Sequence, residues 1–192
     1  MTATTSLTAE GRTRSYPPLA AAAIALGCLA LLLRPQLMTR FDPMGLLVGL
    51  FVALFVVGYR WPGVVERPAG AVRLTQTAAL GAALFLAGRV VAGGAQPAAS
   101  SPRVVALLIL AAVAEEAFFR RLVYGVLARH GAATALVGSA WLFAIVHVTV
   151  YGWWALPIDL AAGLVLSWQR WASGTWTVPA FTHAVANMAA IL

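Results

Sequence analysis

The sequence from Val104 to Leu127 reads VVALLILAAVAEEAFFRRLVYGVL. Two adjacent carboxylates, Glu115 and Glu116, lie about halfway along this largely apolar run. A run of about 20 apolar residues is long enough to cross a bilayer as a helix. Each carboxylate at the centre of such a helix costs about 3 kcal/mol on insertion scales, and ionisable groups inside a membrane generally mark functional sites. The pair therefore indicates an intramembrane site whose partners lie elsewhere in the chain.

The composition is that of an integral membrane protein. Of 192 residues, 61% are hydrophobic and only 10% are charged, whereas soluble domains average about 25% charged residues. The net charge of +7 comes from dispersed arginines without a basic run, which disfavours a nucleic-acid partner and favours contact with membrane lipid. A single cysteine, Cys28, excludes an internal disulfide and a cysteine-based metal site.

Seven apolar segments predict an all-α, polytopic bundle of about seven transmembrane helices. We expect residues 1–16 to form a cytoplasmic tail, residues 17–103 to form three helices, and residues 104–192 to form a core of four helices. Short loops with proline or glycine, such as Arg34-Pro35, separate the segments. The predicted spans are Pro17–Leu33, Met44–Gly58, Gln76–Ala95, Val104–Leu127, Ala132–Tyr151, Leu156–Trp171 and Trp176–Leu192.

The distribution of arginines predicts the orientation of the chain. With a cytoplasmic N-terminus, nine arginines fall on the cytoplasmic side, and only Arg34, Arg40 and Arg103 fall on the opposite side. An excess of positive charge in short loops is typical of the cytoplasmic face. We therefore expect a multi-pass protein of the inner (plasma) membrane whose N-terminus is cytoplasmic.

The two glutamates are predicted to have different partners. On a helix, Glu116 and Arg120 are four residues apart and share a face, with the acid in the favoured N-terminal position. Glu115 points about 100° away from Glu116. The pair of Glu116 and Arg120 can therefore neutralise itself and support the site, while Glu115 remains available for another group.

Two later spans supply polar side chains at helical spacing. The fifth span contains Phe143 and His147, and the last contains His183 and Asn187, each pair four residues apart on one helix face. A lone intramembrane histidine is more often a helix–helix hydrogen-bonding residue than a catalyst. Two histidines, an asparagine and two glutamates can instead satisfy one another, which is the condition for burying any of them.

Peptide hydrolysis needs this kind of set. It requires an activated water, stabilisation of an oxyanion and a proton for the leaving amine. A buried glutamate can act as the base, and histidine and asparagine can donate hydrogen bonds. The sequence shows no pattern for a serine or cysteine nucleophile. A zinc-bound water, held by Glu115, His147 and His183, remains an alternative route to the same nucleophile.

The ordered motifs Glu115-Glu116-x-x-x-Arg120, Phe143-x-x-x-His147 and His183-x-x-x-Asn187 resemble the signature of the CAAX protease and bacteriocin-processing (CPBP, Abi) family of intramembrane endopeptidases. The resemblance covers residues 104–192 and implies that they form the catalytic core. It implies that Glu115, assisted by His147, activates water. It further implies that His183 and Asn187 bind the oxyanion, and that Glu116 and Arg120 support them. Parts of the family are classed as metalloproteases.

Three functions are compatible with the pattern at this stage. The leading hypothesis is proteolysis of a membrane-anchored protein or peptide, such as a bacteriocin leader or a sorting tail. A second is a non-proteolytic bacteriocin-immunity or membrane binding protein of the same fold. A third is a proton-coupled transporter, which the confinement of intramembrane acids to the second half disfavours. Asp159, near the start of the sixth span, is either structural or part of the surroundings of the cavity.

Overall fold

The computed structural model describes residues 17–61, 65–91 and 101–191, and all regular secondary structure in these residues is helical. This confirms the predicted helical bundle. The predicted tail of residues 1–16 and the loop of residues 93–97 lie outside the described residues. The helices are α1 (Pro17–Met38), α2 (Pro43–Arg60), α3 (Ala71–Val91), α4 (Pro102–Glu116), a π-helical segment (Ala117–Val123), α5 (Tyr124–Leu127), α6 (Ala132–Tyr151), α7 (Leu156–Ser173) and α8 (Thr177–Ala189).

Helix starts follow local sequence rules. Asp42 caps α2 by accepting a hydrogen bond from the Gly45 amide, and Ser101 caps α4 by accepting one from the Val104 amide. A proline follows each cap at the first helical position, where its missing N–H costs nothing. These signals fix where α4 begins and hence how far Glu115 lies from the end of the bundle.

The predicted break at Arg34-Pro35 is wrong. Helix α1 continues through Pro35 to Met38, so Arg34 lies within a helix and is only 9% exposed. Proline interrupts a helix by removing one hydrogen bond, but here it lies in the last turns, where neighbouring helices can satisfy the freed backbone group. In contrast, α6 has the predicted bounds, Ala132–Tyr151.

Four helices, α1, α2, α3 and α6, are long and apolar enough to cross a membrane, so the chain is a helical membrane protein. The predicted count of seven spans is not confirmed. Helix α8 has 13 residues, fewer than the roughly 20 of a full crossing. Helix α4 ends at Glu116 after 15 residues, although the helical stretch continues through the π-helical segment and α5 to Leu127. Their apolar runs are interrupted or shortened by the polar residues expected at the site.

The central helix widens immediately after the two glutamates. Residues 117–123 form a π-helical segment, and Ala117, Phe118 and Phe119 within it are completely buried. π-Helical segments are rare in proteins, and those that occur often lie at functional sites. Helix α2 packs against this segment at Gly58, where an added Cβ would collide with the Ala117 carbonyl. The close backbone approach therefore requires glycine.

We expect Gly58→Ala to destabilise the protein by about 1–3 kcal/mol, because the extra methyl overpacks a rigid backbone contact. Gly49→Ala on the same helix is the matched control, since a Cβ at Gly49 meets nothing within 4 Å. That control should be neutral or slightly stabilising, because alanine has the higher helix propensity. Thermal unfolding of the purified variants in detergent measures both effects. Equal melting temperatures for the two variants would contradict the packing argument.

Candidate active site

The carboxylate of Glu116 connects three helices. Its Oε1 atom accepts a hydrogen bond from Arg120 Nη1 at 2.9 Å and another from His183 Nδ1 at 2.9 Å. Arg120 also donates from Nη2 to the Gly163 carbonyl in α7, at 3.2 Å. Glu116 and Arg120 are completely buried. A buried charge persists only when it is paired and hydrogen-bonded, so this cluster fixes α4, α7 and α8 relative to one another.

Glu115 points toward α6 instead. His147 Nε2 lies 3.6 Å from Glu115 Oε2, slightly too far for a direct hydrogen bond. The other ring nitrogen, Nδ1, is 2.7 Å from the Phe143 carbonyl. Because a carbonyl only accepts, Nδ1 carries the proton, and Nε2 of the neutral ring is an acceptor. Two acceptors, one on Glu115 and one on His147, therefore face each other at a separation that a water molecule can bridge.

His183 and Asn187 lie one turn apart on α8. The Nδ1 atom of His183 donates to Glu116, which leaves Nε2 for another partner. Asn187 Nδ2 donates one hydrogen bond to the Leu108 carbonyl at 3.1 Å, and its second N–H is available for another acceptor. Both side chains line the same cavity as Glu115.

The ring of Phe143 lies at the centre of the cluster. The Arg120 guanidinium carbon is 4.4 Å from the ring centroid. The His147 ring is 4.5 Å from it and the His183 ring 5.8 Å, centroid to centroid. A guanidinium over an aromatic face gains a cation–π interaction, which is strongest when water is excluded. Phe143 therefore contacts a cation and both histidines, in addition to filling the core.

A cavity of about 240 Å³ exposes the polar groups. It lies where α1 and α6 end, beside α2, α8 and the part of α4 that runs from Leu107 to Glu115. The residues that line it are Arg34, Met38, Leu47, Phe51, Leu107, Leu108, Ala111, Glu115, His147, Val150, Tyr151, His183 and Asn187. Four of the predicted catalytic side chains thus meet in one space, and Glu116 and Arg120 lie buried beside it. Their individual roles stay predictions.

Sequence reasoning missed Arg34. It was assigned to an outer loop, but it lines the cavity, and its Nη1 atom is 3.9 Å from Glu115 Oε1. One signal was available: Arg34 is the only charged residue between residues 17 and 38. An isolated charge in an apolar helix indicates a buried partner.

The predicted zinc ligands do not converge. Within the described parts of the chain, no three side chains of histidine, cysteine, aspartate or glutamate are placed to hold a metal ion. The Nδ1 atom of His183 is bound to Glu116, so only Nε2 of that ring is available to another ligand. The residues as arranged do not fit a zinc site.

Asp159 lies at the start of α7, close enough to interact electrostatically with Glu115, His147 and His183. Its Oδ2 atom is buried and accepts no hydrogen bond from the described residues. Asp159 does not line the cavity. It is a further acidic group near the histidines.

We expect Arg120→Met to destabilise the protein by about 3–5 kcal/mol, because it removes one partner of a buried pair and leaves the Glu116 carboxylate with His183 alone. Arg129→Met, at an exposed position in the same continuous helical stretch, is the control and should change stability by less than about 0.5 kcal/mol. Thermal unfolding in detergent compares the two. A shift for Arg120→Met no larger than that of the control would contradict the assigned role.

The comparison with family models agrees with the motifs. Residues 97–189 match the model described as Rce1-like, type II CAAX prenyl endopeptidase. No curated protein and no solved structure matches the chain. The matched residues contain all three motifs, whereas Arg34 lies outside them. The resemblance expected from the motifs is confirmed, because residues 97–189 of this chain match the family model of Rce1-like CAAX endopeptidases.

Proposed function

We propose that this chain is an intramembrane endopeptidase that hydrolyses a peptide bond of a membrane-associated protein or peptide. The observation that carries the proposal is the 3.6 Å separation of Glu115 Oε2 and His147 Nε2, in a cavity that His183 and Asn187 also line. The match to a family of proteases supports the same reaction class.

Glu115 and His147 activate the nucleophile. A water in the cavity bridges the two side chains by donating one hydrogen bond to the carboxylate and one to Nε2 of His147. The Phe143 carbonyl sets the tautomer of His147. As the water oxygen attacks the substrate carbonyl carbon, its proton passes to Glu115, which acts as general base. No covalent enzyme intermediate forms in this scheme.

His183 and Asn187 stabilise the charge that develops on the substrate oxygen. Asn187 offers its second N–H, and His183 offers Nε2–H when the ring carries both protons. The carboxylate of Glu116 sits on the far side of His183 and orients the ring. Collapse of the tetrahedral intermediate breaks the carbon–nitrogen bond, and the proton held by Glu115 passes to the leaving amine.

The location of the reaction follows from the chain's composition. We propose the plasma membrane, with the N-terminus on the cytoplasmic side, because six arginines against two favour that orientation once Arg34, Arg120, Arg121 and Arg170, which are buried or half-buried within helices, are left out. The substrate must then reach the cavity from the membrane, so a membrane-anchored protein or peptide is the fitting substrate class.

Glu115→Gln should abolish cleavage while leaving expression and stability unchanged, because the amide keeps the size of the side chain and removes the base. The test compares the termini of membrane proteins, by mass spectrometry, in cells with the wild type and with the variant. Asp42→Asn, which keeps an N-cap at a residue that does not line the cavity, is the control and should resemble the wild type. Identical termini in the Glu115→Gln and wild-type cells would contradict proteolysis and favour a binding role.

We expect cleavage to continue after metal removal, because the donors do not converge on a common ion. The measurement is the turnover of a cleaved peptide by the purified protein before and after treatment with 1,10-phenanthroline, together with the zinc content of the protein. Loss of turnover that added zinc restores would contradict the metal-free scheme and support zinc held by Glu115, His147 and His183.

A further inference from the structure

None of the N–H donors of Arg34 has a hydrogen-bond acceptor within reach among the described residues. Its side chain is 11% exposed and lines the cavity. The Glu115 oxygen at 3.9 Å is too distant for a hydrogen bond. A guanidinium has five N–H donors, and leaving such donors unpaired in a largely buried position is costly.

Arg120, Arg121 and Arg170 are likewise buried or half-buried within helical segments. Arg120 donates to Glu116 and to the Gly163 carbonyl. Arg121 donates to the Gly58 carbonyl at 2.6 Å, and Arg170 donates to the Arg120 carbonyl at 3.0 Å. Each of these three has a protein acceptor within hydrogen-bond distance. Arg34 is the exception, and the space in front of it is the catalytic cavity.

The ligand that best fits a guanidinium is a carboxylate, which accepts two parallel hydrogen bonds from the fork of N–H groups. The apolar side chains of the cavity wall, including Met38, Leu47 and Phe51, lower the local polarity and so strengthen such a pair. Since an extended residue spans about 3.5 Å, a carboxylate bound at Arg34 lies within about two residues of a peptide bond held at Glu115.

We propose that Arg34 binds a carboxylate of the peptide substrate within about two residues of the scissile bond. The carboxylate is either the free C-terminus of the substrate or an aspartate or glutamate side chain. This inference rests on the proposed endopeptidase function. Arg34 is a specificity-determining residue in this scheme and takes no part in proton transfer.

The test uses the full-length protein in proteoliposomes and a library of N-palmitoylated decapeptides with randomised C-terminal halves. Each peptide is made with a free C-terminal acid or a C-terminal amide, and with or without a glutamate in the last half. Cleavage products are quantified by mass spectrometry for the wild type, Arg34→Gln, Arg34→Lys and the exposed control Arg40→Gln. Thermal unfolding checks that each variant folds.

We expect the wild type and Arg40→Gln to cleave carboxylate-bearing peptides at least about tenfold faster than their neutral counterparts, the value of one charge-assisted hydrogen bond. Arg34→Gln should lose this preference, and Arg34→Lys should keep part of it. A preference for acid over amide termini identifies the C-terminus as the source, and a preference for internal glutamate identifies a side chain.

Three outcomes overturn the proposal about Arg34 while leaving the proteolytic function intact. One is equal cleavage of charged and neutral peptides by the wild type. Another is an Arg34→Gln variant that slows all peptides equally, as expected if Arg34 only positions Glu115. The third is an unchanged preference in Arg34→Gln.

Failure of the wild type to cleave any library member counts against the endopeptidase function. Carboxylate binding by Arg34 is then tested by a second measurement. In that case, the thermal stability of Glu115→Gln is compared with that of the Glu115→Gln, Arg34→Gln double variant, each with acid and amide peptides. Stabilisation by the acid form that is lost in the double variant supports carboxylate binding. Equal stabilisation of the two proteins overturns it.

Discussion

The site depends on one oxygen atom, Oε1 of Glu116, which accepts hydrogen bonds from both Arg120 and His183. An apolar interior offers no water to compensate an unpaired charge, so the carboxylate and the guanidinium are stable there only together. The other terminal nitrogen of Arg120, Nη2, donates a hydrogen bond to the Gly163 carbonyl. One carboxylate thereby sets the spacing of α4, α7 and α8, and the catalytic geometry follows from a requirement of stability.

Adjacent residues of a helix point about 100° apart, and the chain uses this to give two glutamates opposite surroundings. Glu116 is 0% exposed and is held by two donors. Glu115 faces the cavity, where its neighbours, His147 and Arg34, lie beyond hydrogen-bond distance at 3.6 and 3.9 Å. Oε1 of Glu116 is thus committed to structure, although its buried Oε2 accepts no hydrogen bond from the described residues, whereas Glu115 keeps its lone pairs for groups in the cavity. The Glu115-Glu116 dipeptide thus joins structure and chemistry at consecutive positions.

Sequence periodicity predicted those features that depend on one helix alone. The spacing of Glu116 and Arg120, and the apolar length of α6, required no knowledge of neighbouring helices. The π-helical segment and the burial of Arg34 were missed because both depend on contacts between helices. The π-helical segment packs against α2 through the close approach of Gly58 to Ala117, a contact between helices that periodicity does not reveal. In the sequence Pro35 resembles a helix end, and only the packing of α1 beside the cavity accounts for the continued helix. The span count is not confirmed, because polar site residues shorten the apolar runs that such a count relies on.

The helices that do not qualify as free-standing spans, α4, α7 and α8, carry most of the polar residues near the cavity. A helix with such residues needs protein on its polar face, because lipid cannot satisfy them. Helices α1, α2 and α3 expose most of their length, so they can face lipid while covering that polar face. Two of them also complete the cavity wall through Arg34 and Phe51. The proposed reacting groups lie within the family-matched residues 97–189, whereas part of the cavity wall lies before them. Under the proposed function, changes in α1 and α2 therefore alter which peptide is accepted without touching the groups proposed to act on it.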